Sequence, residues 1–307
     1  MNKCSSSATS MNREQNGATH VSVIIPTFND EPGVHRCLSA IAEQTYRIGA
    51  VEVIVVDNGS TPPLLLRERY PFAARLVRCA TPGSYAARNA GVEAAAGTIF
   101  AFVDADCWPD PEWLSQGVQS VLAEPEAAII AGEVVLVLPN NPSAVALYQY
   151  AVGFGQEQNV RDKSFSATAN LFCTRAQFEA TGPFDERLLS GGDREWCWRA
   201  AKRGVDIKYE PKAMVYTRPR ASLWGAIRQA RRVTHGRMML RRLGLAHIGE
   251  AAVRKQRSSL QAIQWILSNR DFSVWDRLRI LCIAVFIRVT AAAEYCRLAL
   301  GASGERR

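Results

Sequence analysis

Two aspartates separated by one alanine, Asp104 and Asp106, close the apolar run "TIFAFV" of residues 98–103. A second apolar run, "VEVIVV", ends in Asp57. Carboxylates are poor strand formers, and acids abutting such runs are a local conflict of the kind found at functional sites. On an extended backbone residues i and i+2 point to the same side. This predicts that Asp104 and Asp106 converge across the small Ala105. Two like charges held that close repel unless a proton or a cation intervenes. A hard divalent ion is the natural partner, with coordination sites left open for a pyrophosphate. An isolated D-x-D is more often a strand-end turn with two solvated carboxylates. The position of this pair argues for function, because ligands of open α/β sheets bind beyond the carboxyl ends of the strands.

The elements that must position these acids are legible as periodicity. "VSVIIPTFND" reads as a buried strand from Val21, ended by proline. Residues 33–44 place Val34, Cys37, Leu38 and Ile41 at helical spacing. "VEVIVVDNGS" is a second buried strand, and a third is expected near Arg75–Cys79. "GSYAARNAGVEAAAG" reads as a helix closed by Gly97, and "TIFAFVDAD" as a fourth strand. Strand and helix alternate, which implies a parallel, doubly wound sheet. The strands lack polar alternation, as a sheet covered on both faces requires.

Beyond residue 111 the alternation loosens. Helices are expected at Pro111–Leu122 and Ala144–Phe154, an apolar stretch at Ala127–Leu138, and a strand in "SFSATANLFCTR". "GGDREWCWRAAKRG" reads as a helix with glycines at both ends, and "VDIKYEPKAMVY" as short strands. The chain divides into a flexible tail (1–20), a folded domain (21–217) and a basic helical extension (218–307).

Six segments in order, "VSVIIPTFND", "VIVVDNGS", "GSYAARNAG", "GTIFAFVDADCWPDPEWL", "GPFDERLLSGGDREWCWRAAKRG" and "EPKAMVY", resemble the successive motifs of glycosyltransferase family 2. The resemblance runs from Val21 to Tyr216. It implies an α/β fold of the GT-A type: a doubly wound, mostly parallel sheet flanked by helices, here with a helical C-terminal extension. It implies a nucleotide-diphospho-sugar donor, most naturally a UDP-sugar, and a divalent metal, Mn2+ or Mg2+. Residue by residue, Pro26, Thr27 and Asn29 fall where the family lines the nucleotide pocket. Asp57 matches the acid that contacts uracil or ribose, and Arg88 a basic residue near the phosphates. Asp104 and Asp106 match the family D-x-D, the second being the more direct metal ligand.

Asp193 falls where the family reads Glu-Asp and places its catalytic base, but Gly192 replaces the glutamate. Glu195 sits where the family carries a further acid, and acids at a helix start also serve as caps. Some relatives place a metal-binding histidine after the last motif, where this chain has Thr217 and Arg218. The third protein ligand is therefore open: another group, water, or no ligand, with Arg218 assisting the phosphates. The reaction implied is an in-line displacement with inversion, Asp193 accepting the proton of a hydroxyl on a saccharide or a lipid-linked acceptor.

The remaining features bound the setting. The formal net charge is +8, and between Arg218 and Arg257 ten arginines and one lysine face a single acid, Glu250. Such a field suits phosphate-bearing substrates, anionic lipid or nucleic acid, or simply a solvated helix face. The least polar stretch of the C-terminal segment, Ile280–Ile287, covers only ~12 Å as a helix, short of the ~30 Å hydrocarbon core. An interfacial helix, a lid on the domain or a contact with a second subunit fits better than a membrane span. The eight cysteines form no C-x-x-C pair, and the polar first twenty residues carry no secretory signal. Reduced thiols in a cytoplasmic protein, peripheral at the inner membrane face, are the expectation. Trp108 and Trp113 suit sugar stacking or core packing; His235 and His247 read as surface or packed histidines. Three alternatives stand beside the active transferase: a sugar nucleotidyltransferase, which would open with a glycine-rich loop where this chain has "PTFND"; a basic nucleic-acid-binding protein, for which no known motif is present; and a transferase-like domain without activity, which Gly192 in place of the glutamate before Asp193 would suit.

Overall fold

A computed structural model describes residues 20–66, 68–125, 128–245 and 259–302. The expected tail lies almost wholly outside these residues, as do Ala127, His247 and the basic residues Arg254, Lys255 and Arg257. The first half alternates as the periodicity predicts: β1 (Val21–Thr27), α1 (Glu31–Ala42), β2 (Val51–Asp57), β3 (Ala73–Arg78), α2 (Ser84–Ala94) and β4 (Ile99–Val103). β1 pairs in parallel with both β2 and β4, and β2 in parallel with β3. Alternate β1 residues serve opposite faces. Val21, Val23 and Ile25 join Val34, Leu38 and Ile41 of α1 in one core, while Ile24 joins Tyr85, Phe100 and Phe102 in the other. This two-sided burial is why the strand shows no polar alternation. Truncating the fully buried Leu38 to alanine costs about 2–5 kcal/mol.

The second half follows as β5 (Cys107–Pro109), α3 (Trp113–Ala123), β6 (Ala128–Leu136), α4 (Ala144–Val152), α5 (Gln156–Lys163), β7 (Asn170–Thr174), α6 (Arg175–Thr181), α7 (Gly192–Lys202) and β8 (Asp206–Thr217). All strands join one sheet in the order β3-β2-β1-β4-β7-β6-β8-β5. The sheet is mostly parallel, but β7 runs antiparallel to β4 and β6, and β5 antiparallel to β8. Three details differ from expectation. The segment read as short strands is one strand, β8, with an irregularity: Gly132 pairs with Glu210 and Glu133 with Met214. Helices α5 and α6 were not expected from the sequence.

Gly97 does not close α2, which ends at Ala94. A side chain at 97 would meet Ser22 Oγ at 2.5 Å, so the glycine is required by close approach to β1. There the Glu52 carboxylate accepts from Ser22 Oγ (2.6 Å), Gly97 N–H (3.1 Å) and Arg75 Nη2 (2.6 Å). This network locks β1, β2 and the entry to β4 together.

Beyond β8 come α8 (Leu223–Arg242), α9 (Ser259–Ser268) and α10 (Val274–Ala299). α10 packs on α8 and α4, and Gln149 of α4 bonds Gln229 of α8 at 2.8 Å.

Candidate active site

The ends of β1 and β4, the start of α2 and the start of α7 open onto one cavity of about 620 Å³. The Asp104–Asp106 segment is not extended, as i, i+2 logic assumed. It is a turn closed by Cys107 N–H donating to Asp104 O at 3.0 Å. The turn, rather than the strand pleat, brings both carboxylates into the cavity lining. β5, paired to the end of β8, pins the turn from behind, and Thr217 Oγ1 donates to Asp106 O at 3.2 Å. Asp106 is open to the cavity yet deep in the cleft. Loss of water around it, with the charges of Asp104 and Asp30, pushes its carboxyl up to about 6, against the pull of Arg220.

Asp104 is tied to Arg88, whose Nη2 donates to its Oδ1. Arg88 is almost fully buried, held on α2 beneath the ring of Tyr85, 5.7 Å from its centroid. Its Nε has no protein partner, nor does the buried Thr27 Oγ1 at the end of β1. Both residues line the cavity, and unsatisfied buried polar atoms are costly unless a ligand answers them.

Asp193, on the first turn of α7, lines the same cavity. It accepts from Arg194 N–H at 2.8 Å and from Tyr85 Oη at 3.3 Å. Burial raises its carboxyl above the ordinary range, opposed by the nearby Arg194 and Arg88 charges and by the tyrosine. Gly192 before it admits no side chain: an added Cβ would sit 2.7 Å from the Tyr85 ring. Glu195 faces away from the cavity, buried and paired in two bonds with Arg199 (2.7 and 2.9 Å).

Of the remaining residues expected at the nucleotide, Pro26 and Thr27 line the cavity. Asn29 and Asp57 stand just outside it. Asn29 bonds the following loop through Ser60 and Thr61. Asp57 accepts from Ser60 N–H, Leu64 N–H and Arg78; burial alone would raise its carboxyl, but these bonds bring it below the ordinary range. Trp113 is core, donating to Asn170 at 2.8 Å. Trp108 stacks on Tyr216 beneath Arg36. Sequence reading missed Asp30, Tyr85 and the arginines of the extension. Arg220, rather than Arg218, reaches the cavity, joined by Arg228 and Arg232 from α8. Only the i, i+4 spacing of Arg228 and Arg232 hinted at a common face.

Comparison with known proteins places this geometry. Residues 22–173 match the profile of Glycosyl transferase family 2, and residues 99–296 that of Glycosyl transferase family group 2. The chain is 31% identical over 291 residues to Glycosyltransferase AglE of Haloferax volcanii, covering 91% of this chain and 93% of that protein. It is 24% identical to the dolichyl N-acetyl-alpha-D-glucosaminyl phosphate 3-beta-D-2,3-diacetamido-2,3-dideoxy-beta-D-glucuronosyltransferase of Methanococcus voltae, covering 68% and 70%. In fold it is similar to the mannosyltransferase PcManGT of Pyrobaculum calidifontis, solved with GDP-Man and Mn2+. That match has a TM-score of 0.54 and 20% identity, over 92% of this chain and 80% of that one.

The fold is that of a GT-A glycosyltransferase. The chain belongs to glycosyl transferase family 2, and it is an enzyme that transfers a sugar.

Proposed function

We propose that the enzyme moves a sugar from a nucleotide-diphospho-sugar, a UDP-sugar first among the candidates, to a hydroxyl of a saccharide or lipid-linked acceptor, with inversion and with a divalent metal. The observation that carries this reading is that Asp193, Arg88 and the Asp104–Asp106 turn line one cavity. The acid available as base and the groups suited to the leaving diphosphate thus share a single space. A lipid-linked acceptor is supported by the dolichyl-linked substrate in the name of the Methanococcus relative.

The donor set fits a hard cation: two carboxylates on one turn, Asp106 holding its proton the more tightly because of burial first and the Asp104 charge second. Among the described residues no three His, Cys, Asp or Glu side chains are grouped to hold a metal. Diphosphate oxygens and water would complete the shell. When bound, the ion would offset charge developing on the diphosphate. Arg88 orients Asp104, so Asp106 would be the direct ligand, while Arg220 faces the same negative region. Asp193, its carboxyl raised by burial, is tuned toward taking the acceptor proton as the new glycosidic bond forms. The nucleotide–sugar bond breaks on the opposite face of the anomeric carbon. Asn29 and Asp57 act one step removed, by shaping the loop after β2 against the nucleotide pocket.

A thermal-shift screen of UDP- and GDP-sugars with Mn2+ or Mg2+ tests the reading. The true donor should raise the melting temperature only with metal present. Stabilisation by nucleic acid and by no nucleotide-sugar would overturn it.

A further inference from the structure

α10 is apolar on two opposite faces, and only one of them is covered. Its inner face is buried through Ile280 and Leu298, with Ile280 packed among Leu147, Ile266 and Phe272. On the outer side Trp275, Leu278, Cys282, Val285 and Val289 recur at alternating steps of three and four, all exposed. Trp275 is 76% and Val285 and Val289 are each 62% exposed. Steps of that kind form one continuous stripe on a helix, here ~21 Å long at 1.5 Å per residue. An apolar stripe of that length facing water marks a contact surface.

The charges say what covers it. At about 100° per residue, Arg279 and Arg288 fall on the two edges of the stripe, and both are exposed. No carboxylate lies within it. Asp276 is turned to Ser273 and Arg279, and Glu294 is buried against Arg297. Arg279 is thus already paired with Asp276 at 3.3 Å, whereas pairing two copies of the stripe would set the exposed Arg288 beside another arginine edge with no acid of the outer face to answer it. No helix of the described residues is long and apolar enough to cross a membrane, so this one would lie along a surface.

We infer that the outer face of α10 docks on a lipid bilayer bearing anionic headgroups, its apolar stripe entering the headgroup boundary while the flanking arginines meet lipid phosphates. Glu294 on the inner side of the same helix lines the catalytic cavity, so the cavity lies about one helix diameter, ~10 Å, from the lipid. That is within reach of an acceptor carried on lipid. The inference does not depend on the donor, and vesicle binding and sugar transfer can fail separately.

Flotation of the full chain with phosphatidylcholine vesicles, with and without phosphatidylglycerol, is the test. The wild type should float with the anionic vesicles and bind neutral ones about tenfold less or weaker. Trp275→Glu/Val285→Glu/Val289→Glu, all at exposed positions, should lose binding at least about tenfold while nucleotide-sugar thermal shifts stay unchanged. Arg279→Glu/Arg288→Glu should lose only the preference for anionic lipid. Absence of wild-type flotation, triple-variant binding equal to wild type, or a wild-type dimer in light scattering that the triple variant abolishes would each overturn the inference.

Discussion

The ring of Tyr85 stands where a side chain at residue 192 would have to go: its carbons lie 2.7–2.9 Å from the Cβ position of Gly192. The same tyrosine donates its hydroxyl to Asp193 at 3.3 Å. The glycine that replaces the family glutamate is therefore matched to a particular neighbour on α2. The space is filled, and its polar tip is directed at the neighbouring acid.

That packing predicts strong coupling between the two sites. Gly192→Ala should destabilise the fold by about 1–3 kcal/mol through overpacking. Tyr85→Phe keeps the ring and should not relieve it, whereas Tyr85→Ala should. Denaturant melts of the single and double variants measure the coupling; additivity within experimental error would mean the ring and residue 192 do not compete for space.

If Asp193 is the base proposed above, Asp193→Asn should lower kcat by about 10²–10⁴ with donor binding retained. Glu195→Gln should instead lower stability, since it weakens a buried ion pair with Arg199. Turnover assays beside thermal melts separate the two; a variant at 193 with wild-type kcat would remove it from the base role.

The Asp106 carboxyl, raised from 3.8 to about 6 in the metal-free protein, gives a pH signature. A folded-state value above the unfolded one means that this group's contribution to stability is present below pH 4 and is lost as pH rises through about 6. Metal-free Asp106→Asn should accordingly melt higher than wild type at pH 8, with the gap shrinking through pH 5 and closing only below about pH 4. Mn2+ must displace the proton, so its affinity for the wild type, measured by titration calorimetry, should weaken as pH falls below about 6. An affinity flat from pH 5 to 8 would place the metal elsewhere.

Glu52 behaves in the opposite sense. Burial alone would raise its carboxyl, but hydrogen bonds from Ser22 and Ala96 N–H, with Arg75, hold it below the ordinary range. Its stabilisation is therefore present above the unfolded value and lost as pH falls through the depressed one. Glu52→Gln should cost about 1–3 kcal/mol at pH 7, with the gap to wild type narrowing in melts run below about pH 4.

The first half of the fold was legible because its signals are local. A β-branched run such as Val51–Val56 can only be a doubly buried strand, and the spacing of Val34, Cys37, Leu38 and Ile41 describes one helix face. Asp104 and Asp106 were legible as candidates because they interrupt such a pattern, whereas Asp193, at a helix start where capping is the plain reading, was a candidate only through its resemblance to a family motif. What remained hidden depends on contacts between distant segments. The carboxylate pair converges through a turn pinned by β5 and β8, a pairing across more than a hundred residues. Gly97 and Gly192 look like helix punctuation in one dimension, and only the approach of Ser22 and Tyr85 gives them their purpose. Likewise the arginines of the extension read as an undirected charge until α8 folds back over the cavity. By itself the sequence determined which segments are strand or helix and which acids had no structural reason to be where they are. The tertiary structure decided which of those acids share a space, because burial, close approach and charge coupling exist only once separate elements are packed against one another.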